Sequence, residues 1–393
     1  MVWELAKNIY CIGSQDWDRR LFDELIPLPD GTSYNSYIIN GSEKTALIDT
    51  VDPTKTTELI DNLRGLSIAK IDYVIPNHAE QDHSGSIPAV LSAYPGAKVV
   101  TNEKCKDFLI DLLHIEDSKF HVVKDGETLS LGDKTLEFIL APWVHWPETM
   151  LTYLREEKIL FSCDLFGSHL ATTERFVGVD AVVLKGAKRY YAEIMMPFRQ
   201  MIRGHLKKLE GYDIRVIAAS HGPVYDKPEF IVDAYRGWVS DDVKNEVVLV
   251  HISMHGSTQR MVDYFIGALS DRGVVVKPFN LSVTDIGELA MALVDAATVV
   301  LASPVVHVGP HPQMAYAAFL ANALRPKTRF ASVIGSYGWG QQLVERLAQL
   351  IPNLKVELLN PVIARGLPRE SDFKELDRLA DDISKKHKEH KLV

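Results

Sequence analysis

Cysteine is scarce in this sequence of 393 residues. The three cysteines, Cys11, Cys105 and Cys163, are too few and too widely spaced for a disulfide framework or a four-cysteine metal site. No uncharged apolar run approaches the roughly 18 residues of a membrane-spanning helix, and residues 1–27 lack the apolar core of a secretory signal. These absences predict a soluble protein of the reducing cytoplasm that has no membrane partner.

Basic charge is also limited. The chain has 43 Lys and Arg against 52 Asp and Glu, which gives a formal net charge of −9. Nucleic-acid binding depends on basic side chains that neutralise phosphates, so nucleic acid is not an expected partner. The composition, 46% hydrophobic and 24% charged, is that of a globular protein, and the length predicts at least two domains.

The sequence pattern changes near residue 245. Before about residue 240, short strand-like segments alternate with turn clusters, and few long helices are expected before Tyr190–Leu209. From Glu246 onward, short apolar runs alternate with helical stretches, which is typical of a parallel sheet covered by helices on both faces. We therefore predict an α/β protein with one domain at residues 1–245 and a second at residues 246–393.

A loop rich in histidine and carboxylates follows the apolar segment at residues 71–76. It contains two His and two carboxylates within six residues, and three more candidate ligands each follow a strand-like segment later in the chain. Histidine and carboxylate side chains at strand ends can converge on metal ions. With three carboxylates and four imidazoles, the set favours iron or manganese over zinc. The predicted metal ligands are His78, Glu80, Asp82, His83, His145, Asp164 and His221.

A second candidate site begins after the apolar segment at residues 246–252. Hydroxyl and backbone N–H groups at a helix start form an anion site, and the absence of GxGxxG, GKS and GKT motifs favours a mononucleotide phosphate. Two later strand ends of the same predicted sheet carry aromatic and backbone groups that fit a flat ring. The predicted cofactor-binding residues are Ser253, Met254, His255, Gly256, Ser257, Thr258, Pro304, Val305, Val306, His307, Val308, Gly309, Ser336, Tyr337, Gly338, Trp339 and Gly340.

The HxExDH loop, with the later His, Asp and His, resembles the metallo-β-lactamase superfamily, in the variant with Glu80 that is similar to the flavodiiron proteins. The resemblance covers essentially the whole chain. It implies an N-terminal metallo-β-lactamase-like αββα sandwich and a C-terminal flavodoxin-like doubly wound parallel sheet that binds FMN. It further implies a diiron site, with one iron held by His78, Glu80 and His145, the other by Asp82, His83 and His221, and Asp164 as the bridge.

The resemblance also implies a function. Members of this family reduce dioxygen to water or nitric oxide to nitrous oxide at two iron ions that FMN supplies with electrons. The implied partners are a separate electron donor, rubredoxin or a deazaflavin, because the sequence has no CxxC pair, and a second copy in a head-to-tail homodimer or a tetramer. His169, Tyr190, Tyr191 and Trp146 are candidates for lining the gas pocket.

Two other functions fit parts of the sequence. A two-metal site of lactamase type can hydrolyse a substrate with a bridging hydroxide, and the second domain would then regulate or dock. Alternatively, the chain carries electrons on FMN and its metals are structural. Glu80 in place of a His argues against the hydrolase, and seven ligands for two ions leave open coordination positions, which argues against a purely structural metal site.

Overall fold

The computed structural model describes residues 2–392, which form two compact units. The first unit comprises the chain up to Tyr191 together with Phe198–Val239, and the second comprises Ala192–Pro197 and the chain from Ser240 onward. None of the helices within residues 2–392 has the length and apolar character needed to cross a lipid bilayer. The domain limits of 1–245 and 246–393 stay a prediction.

The first sheet of the first unit has seven strands in the order β1-β2-β7-β8-β9-β10-β11. Strands β7 and β8 form the hairpin expected around the polar turn at residues 40–44, and β8, β9 and β10 run parallel. Two small ribbons, β3 with β6 and β4 with β5, lie outside this sheet. The strands are β1 Trp3–Ala6, β2 Ile9–Cys11, β3 Ser14–Asp16, β4 Leu21–Phe22, β5 Ile26–Pro27, β6 Thr32–Tyr34, β7 Tyr37–Asn40, β8 Thr45–Ile48, β9 Tyr73–Ile75, β10 Lys98–Thr101 and β11 Phe120–Val122.

The second sheet also has seven strands, in the order β12-β13-β14-β15-β17-β18-β16. Strands β12 to β15 form an antiparallel meander, and β17 joins β15 in parallel. The strands are β12 Thr128–Ser130, β13 Thr135–Leu140, β14 Met150–Leu154, β15 Ile159–Cys163, β16 Phe176–Val177, β17 Val216–Ala219 and β18 Val224–Tyr225.

Helices cover the outer faces of the two sheets. Ile48 and Phe161, from different sheets, share one core between the sheets. Leu47 points away from that core and packs with Leu59 and Leu109 of the outer helices. At the second sheet, Leu206 of the helix Arg199–Leu209 and Ile217 of β17 line the same crevice, so a helix lies against this sheet as well. This four-layer arrangement is the predicted αββα sandwich. The helices are α1 Thr56–Gly65, α2 Gln81–Ser84, α3 Ile87–Ala93, α4 Glu103–Leu113, α5 Ala181–Tyr190, α6 Arg199–Leu209 and α7 Pro228–Val239.

The prediction about helices in this unit was wrong in one respect. Helices α1 and α4, which come before Tyr190, have only 10 and 11 residues and agree with the few long helices expected there. The segment Tyr190–Leu209 is not one helix, because a π-helical turn at Tyr191–Met195 and a 3-10 turn at Met196–Phe198 separate α5 from α6. Pro197 has no backbone N–H to continue an α-helix, which explains the break.

The second unit contains a parallel sheet in the order β20-β19-β21-β23, and both β24 and β25 pair with β23. This is the flavodoxin-like order, and it confirms the predicted doubly wound fold. The elements are β19 Lys244–His251, α8 Ser257–Ser270, β20 Val275–Asn280, α9 Ile286–Leu293, β21 Ala296–Val306, β22 Gly309–Pro310, α10 Pro312–Leu324, β23 Phe330–Tyr337, α11 Leu343–Leu350, β24 Glu357–Leu358, β25 Val362–Arg365 and α12 Glu370–Glu389.

Strand β19 is apolar on both faces because helices cover both sides of this sheet. Val247 and Leu249 pack with α8 and α12, whereas Val248 and Val250 pack with α9 and α10. The helices on opposite faces leave a crevice at the carboxyl ends of β19 and β21. Ligands of open α/β sheets bind at this position.

Helix α12 is fixed to the sheet by His387. Its two ring nitrogens lie 2.7 Å from Thr298 Oγ1 and 2.7 Å from Asn245 Oδ1, and its side chain is buried. Burial, with a smaller contribution from His390, lowers the pKa of His387 to about 4. The unfolded chain therefore binds this proton at a higher pH than the folded chain does.

This difference predicts a loss of stability in acid. The contribution of His387 to the free energy of unfolding is complete above about pH 6.5 and is lost as the pH falls through about 4. The lowering of its pKa from the ordinary value to about 4 corresponds to about 3 kcal/mol. In urea unfolding, wild type should be more stable than His387→Gln near neutral pH. This difference in the free energy of unfolding should narrow as the pH falls from about 6.5 to about 4. The exposed His121→Gln variant serves as the control, and a difference that does not vary with pH would contradict the assignment.

Candidate metal centre and phosphate site

The seven predicted metal ligands lie in loops at strand ends of both sheets of the first unit. His78 and Glu80 follow β9, and the next turn of chain is α2, which carries Asp82 and His83. The loop before β14 supplies His145, and the ends of β15 and β17 lead into Asp164 and His221. Most of these side chains are buried; Glu80 and His145 are only partly exposed.

The ligands form two groups. In site A, defined as His78, Glu80, His145 and Asp164, the donor atoms lie within 4.8 Å of one another. The Glu80 Oε2 atom is 3.1 Å from the Nε2 atoms of both His78 and His145. In site B, defined as Asp82, His83 and His221, the donor atoms also lie within 4.8 Å of one another.

Asp164 lies between the two groups. Its Oδ2 atom is 3.6 Å from His78 Nε2 and 3.5 Å from His145 Nε2, on the side of site A. Its Oδ1 atom is 3.0 Å from His83 Nε2 and 3.3 Å from His221 Nε2, on the side of site B. One carboxylate therefore presents one oxygen to each group, as a bridging ligand does.

Several of these polar atoms are buried without a hydrogen-bond partner among the described residues. They are both carboxylate oxygens of Asp82, Nε2 of His83 and Oδ2 of Asp164. A buried polar atom without a partner costs about 1–3 kcal/mol. Because these atoms converge on the same two positions, coordination of cations would satisfy them all. The residues present therefore fit a pair of metal ions.

The charges of the site also favour cations. Burial alone would lower the pKa of His83, but the carboxylates of Asp164 and Asp82 raise it to about 10. For Asp164, burial acts to raise the pKa, and the adjacent imidazoles, first His83, hold it well below its usual range. The Asp164 carboxylate is therefore ionised, and divalent metal ions would take the place of the imidazolium protons as its compensating positive charge.

Three of the four candidate pocket residues lie near the ligands, and one of them, Trp146, lines a cavity there. Trp146 lines a cavity of about 490 Å³ that reaches Glu80 and Asp82. The Tyr190 hydroxyl donates a hydrogen bond of 2.8 Å to Asp164 Oδ1. His169 is buried against the rings of His221 and Tyr190.

Tyr191 does not reach the metal centre, so its assignment to the pocket was wrong. Its hydroxyl donates to the carbonyl of Trp238, and its ring packs against Tyr235. Consecutive residues at the end of α5 point in different directions, and therefore only one of the two adjacent tyrosines faces Asp164.

Replacement of Tyr190 by Phe is expected to weaken metal binding by about tenfold, because partners of a metal ligand typically contribute 10–100-fold to affinity. The pKa of Tyr190 is well above its usual value, chiefly through burial, so the hydroxyl remains a donor at neutral pH. Metal affinity of the purified variant checks this. Tyr191→Phe removes an equally buried hydroxyl away from Asp164 and should bind metal as wild type does; equal losses in both variants would contradict the prediction.

Two buried carboxylates near the ligands were missed by the sequence analysis. Glu148 Oε1 lies 2.7 Å from His78 Nδ1, and Asp49 Oδ2 lies 3.9 Å from His83 Nδ1. Glu148 stands three residues after His145, so an acidic residue close to a predicted ligand was a usable signal. Asp49 follows β8, and nothing in its spacing links it to the loop that contains His83.

The predicted phosphate loop follows β19 and leads into α8. Gly256, just before the helix, has a φ of +86°, a conformation that glycine adopts at little cost. The Ser253 hydroxyl accepts hydrogen bonds from the backbone N–H groups of Gly256 and Gln259, at 3.2 and 3.3 Å. Thr258 and Ser336 hydroxyls lie 2.9 Å apart. The loop thus presents hydroxyls and N–H groups at the positive end of a 14-residue helix.

A cavity of about 150 Å³ lies at this loop, at the carboxyl end of the parallel sheet. It unites residues from all three predicted strand ends and adds Gly366, which the sequence analysis missed. The cavity is lined by Ser253, Met254, His255, Ser257, Thr258, Pro304, Val305, Ser336, Tyr337, Gly338 and Gly366.

Some predicted cofactor-binding residues lie outside this lining. Strand β21 extends to Val306, and its chain turns back into β22, which leaves His307 exposed at the turn. The Trp339 side chain is 71% exposed. Roles in cofactor binding for these residues stay predictions; the full set outside the lining is Gly256, Val306, His307, Val308, Gly309, Trp339 and Gly340.

Comparisons with known proteins agree with this architecture. A family model described as ODP family beta lactamase matches residues 32–222. The chain is 34% identical over 390 residues to a nitric oxide reductase from Moorella thermoacetica, and the match covers 97% of each protein. It is 33% identical over 381 residues to an anaerobic nitric oxide reductase flavorubredoxin from Escherichia coli, covering 94% of this chain and 79% of that protein.

Solved structures are similar over both units. The rubredoxin oxygen:oxidoreductase from Desulfovibrio gigas superposes with a TM-score of 0.94 at 29% identity, covering 99% of both chains. The flavodiiron protein from Giardia intestinalis superposes with a TM-score of 0.90 at 28% identity, covering 98% of this chain and 96% of that chain.

Proposed function

This chain belongs to the flavodiiron protein family, and from that membership we propose that it is an oxidoreductase that reduces dioxygen to water, nitric oxide to nitrous oxide, or both. The observation that supports this most strongly is the position of Asp164, with one oxygen toward each of two ligand groups. The second unit of the same chain carries a flavodoxin-like phosphate loop. Hydrolysis needs no electron carrier, whereas repeated gas reduction does.

Two iron ions are the proposed metals. Site A would hold one iron and site B the other, with Asp164 shared, because mixed carboxylate and imidazole ligation with open positions is typical of non-heme iron sites. When bound, such ions supply electrons and the coordination positions at which a small gas binds. The ligand carboxylates are Glu80, Asp82 and Asp164, so their three negative charges offset all but one of the four positive charges of two divalent ions.

The protein around the ligands holds them in place and limits access of water. Tyr190 donates to Asp164, the Ser33 carbonyl accepts from His221 Nδ1 at 2.6 Å, and Trp146 forms part of the wall of the cavity that reaches Glu80. These contacts orient Asp164 and His221, and the cavity gives a small molecule access to Glu80.

FMN is the proposed flavin. Its phosphate would bind at the start of α8, held by Ser253, Ser257 and Thr258, and its ring would lie near Tyr337 and the backbone of Pro304 and Val305. When bound, FMN accepts and passes electrons singly or in pairs. Dioxygen reduction to water needs four electrons, which two iron ions and one flavin can hold together.

The donor and the assembly follow from family membership. We propose that a separate donor, rubredoxin or a deazaflavin, reduces the flavin, and that the chain works as a head-to-tail homodimer or a tetramer in the cytoplasm. Sedimentation of the purified chain tests the assembly, since a monomer at working concentration would contradict it.

Metal and flavin content per chain, measured on protein purified without oxygen, tests the proposed cofactors. We expect about two iron and one FMN per chain, with little zinc. Zinc in place of iron, or no flavin, would instead support a metal-dependent hydrolase. FMN alone, without metal, would support a simple electron carrier.

A further inference from the structure

Glu148 is a buried carboxylate directly behind one ligand of site A. Its Oε1 atom lies 2.7 Å from His78 Nδ1 and accepts a hydrogen bond of 3.1 Å from the backbone N–H of Ala79. The Glu148 and His78 side chains are both fully buried. A carboxylate in this position accepts from the Nδ1–H of His78 and leaves Nε2, which faces Glu80 and Asp164, as the ring nitrogen available to a metal ion.

The two imidazoles of site B have weaker support. His221 Nδ1 donates to the Ser33 carbonyl, which is uncharged. His83 Nδ1 has Asp49 Oδ2 at 3.9 Å and the Cys163 thiol at 4.0 Å, so neither carboxylate oxygen of Asp49 reaches hydrogen-bond distance.

Asp49 is occupied elsewhere. Its carboxylate accepts hydrogen bonds from the backbone N–H and side-chain amide of Asn77, at 2.7 and 3.3 Å, and from the Ser220 hydroxyl at 3.1 Å. A direct carboxylate–imidazole hydrogen bond therefore supports His78 of site A, whereas a neutral carbonyl supports His221 of site B. The two halves of the centre therefore differ in the direct hydrogen bond behind their ligands, although a carboxylate lies near each half.

We infer that Glu148 is a positioning residue that makes site A the tighter of the two metal sites, so that site A fills first. A carboxylate that accepts from the distal N–H of a ligating imidazole fixes its tautomer and raises the basicity of the coordinating nitrogen. The negative charge of Glu148 also lies in a low-dielectric interior, where its attraction for a cation is weakly screened. This inference rests on the proposed metal centre and does not depend on gas reduction.

Cobalt(II) titration of the metal-free full-length chain, followed by visible absorption, tests the inference. His221→Ala leaves site A intact, and His145→Ala leaves site B intact. Glu148→Gln keeps an oxygen that can accept from His78 and Ala79 but removes the charge. We expect Glu148→Gln to weaken cobalt binding by about 10–100-fold and to shift the absorption bands in the His221→Ala background, with no change in the His145→Ala background.

A second variant and a control separate this role from a purely structural one. Glu148→Ala removes both the charge and the acceptor and should weaken site A further. Glu157→Gln removes the charge of a carboxylate that pairs with Lys134 at 2.8 Å, away from the ligands, and should leave both sites unchanged.

Three results would overturn the inference: equal weakening of both sites by Glu148→Gln, an unchanged site A, or no cobalt binding in either single-site background. Failure of the proposed function gives a different result. In that case cobalt would bind and depend on Glu148 as expected, while the iron-loaded protein would not reduce gas.

Discussion

An Asp164→Ala variant is expected to reduce dioxygen and nitric oxide at least about a hundredfold more slowly than wild type while it retains its flavin. Even partners of metal ligands contribute about 10–100-fold, and Asp164 faces both metal groups directly. Its loss removes the one carboxylate that faces both groups and leaves Asp82 as the remaining counter-charge of His83 and His221. Steady-state gas consumption and metal content measure the effect.

The matched control is Asp125→Asn. Asp125 is a carboxylate of the same unit that pairs with Lys208 at 2.6 Å and belongs to neither ligand group. It should retain full activity. Wild-type rates of gas reduction in the Asp164→Ala protein would show that the dinuclear centre is not the catalytic site.

A Ser257→Glu variant is expected to lose most of its FMN. Ser257 is the first residue of α8 and lines the cavity at the phosphate loop. A carboxylate there would stand about one contact distance from a bound phosphate, and two like charges 4 Å apart repel by about 4 kcal/mol at the effective dielectric constant of a protein surface. This corresponds to roughly a thousandfold loss of affinity, measured by fluorescence titration with FMN.

The control is Ser270→Glu, which adds the same charge to the exposed last residue of the same helix. A carboxylate at a helix C-terminus costs about 0.3–1 kcal/mol of stability, and it should leave FMN affinity unchanged. The Ser257→Glu protein should keep its metals. Wild-type FMN affinity in that protein would place the phosphate elsewhere.

The sequence indicated a candidate metal centre because its His and carboxylate residues lie in segments that follow apolar strands. His78, Glu80, Asp82 and His83 fall within six residues after β9, so they could converge without any long-range contact. The same reasoning predicted the crevice between β19 and β21, because short apolar runs that alternate with helices are typical of a doubly wound sheet.

The contacts behind the ligands could not be predicted in this way. Glu148 and His78 are 70 residues apart in the sequence. Their contact depends on how the loop before β14 packs against the loop after β9. The direction of the Tyr191 side chain likewise depends on packing, whereas the helix break at Tyr191–Phe198 had a signal in the sequence, Pro197. Hydrophobic periodicity predicts one helix or strand at a time, so it does not predict which side chains from different elements come into contact.

The most direct test of the account is a single-turnover reaction of the fully reduced full-length protein, loaded with two iron ions and one FMN per chain. The protein is mixed anaerobically with limiting dioxygen in one experiment and with limiting nitric oxide in another. The account predicts complete consumption of at least one gas, with water formed and no hydrogen peroxide from dioxygen, or nitrous oxide formed from nitric oxide. Hydrogen peroxide as the product of dioxygen, together with unconsumed nitric oxide, would mean that the flavin reacts alone and would contradict it.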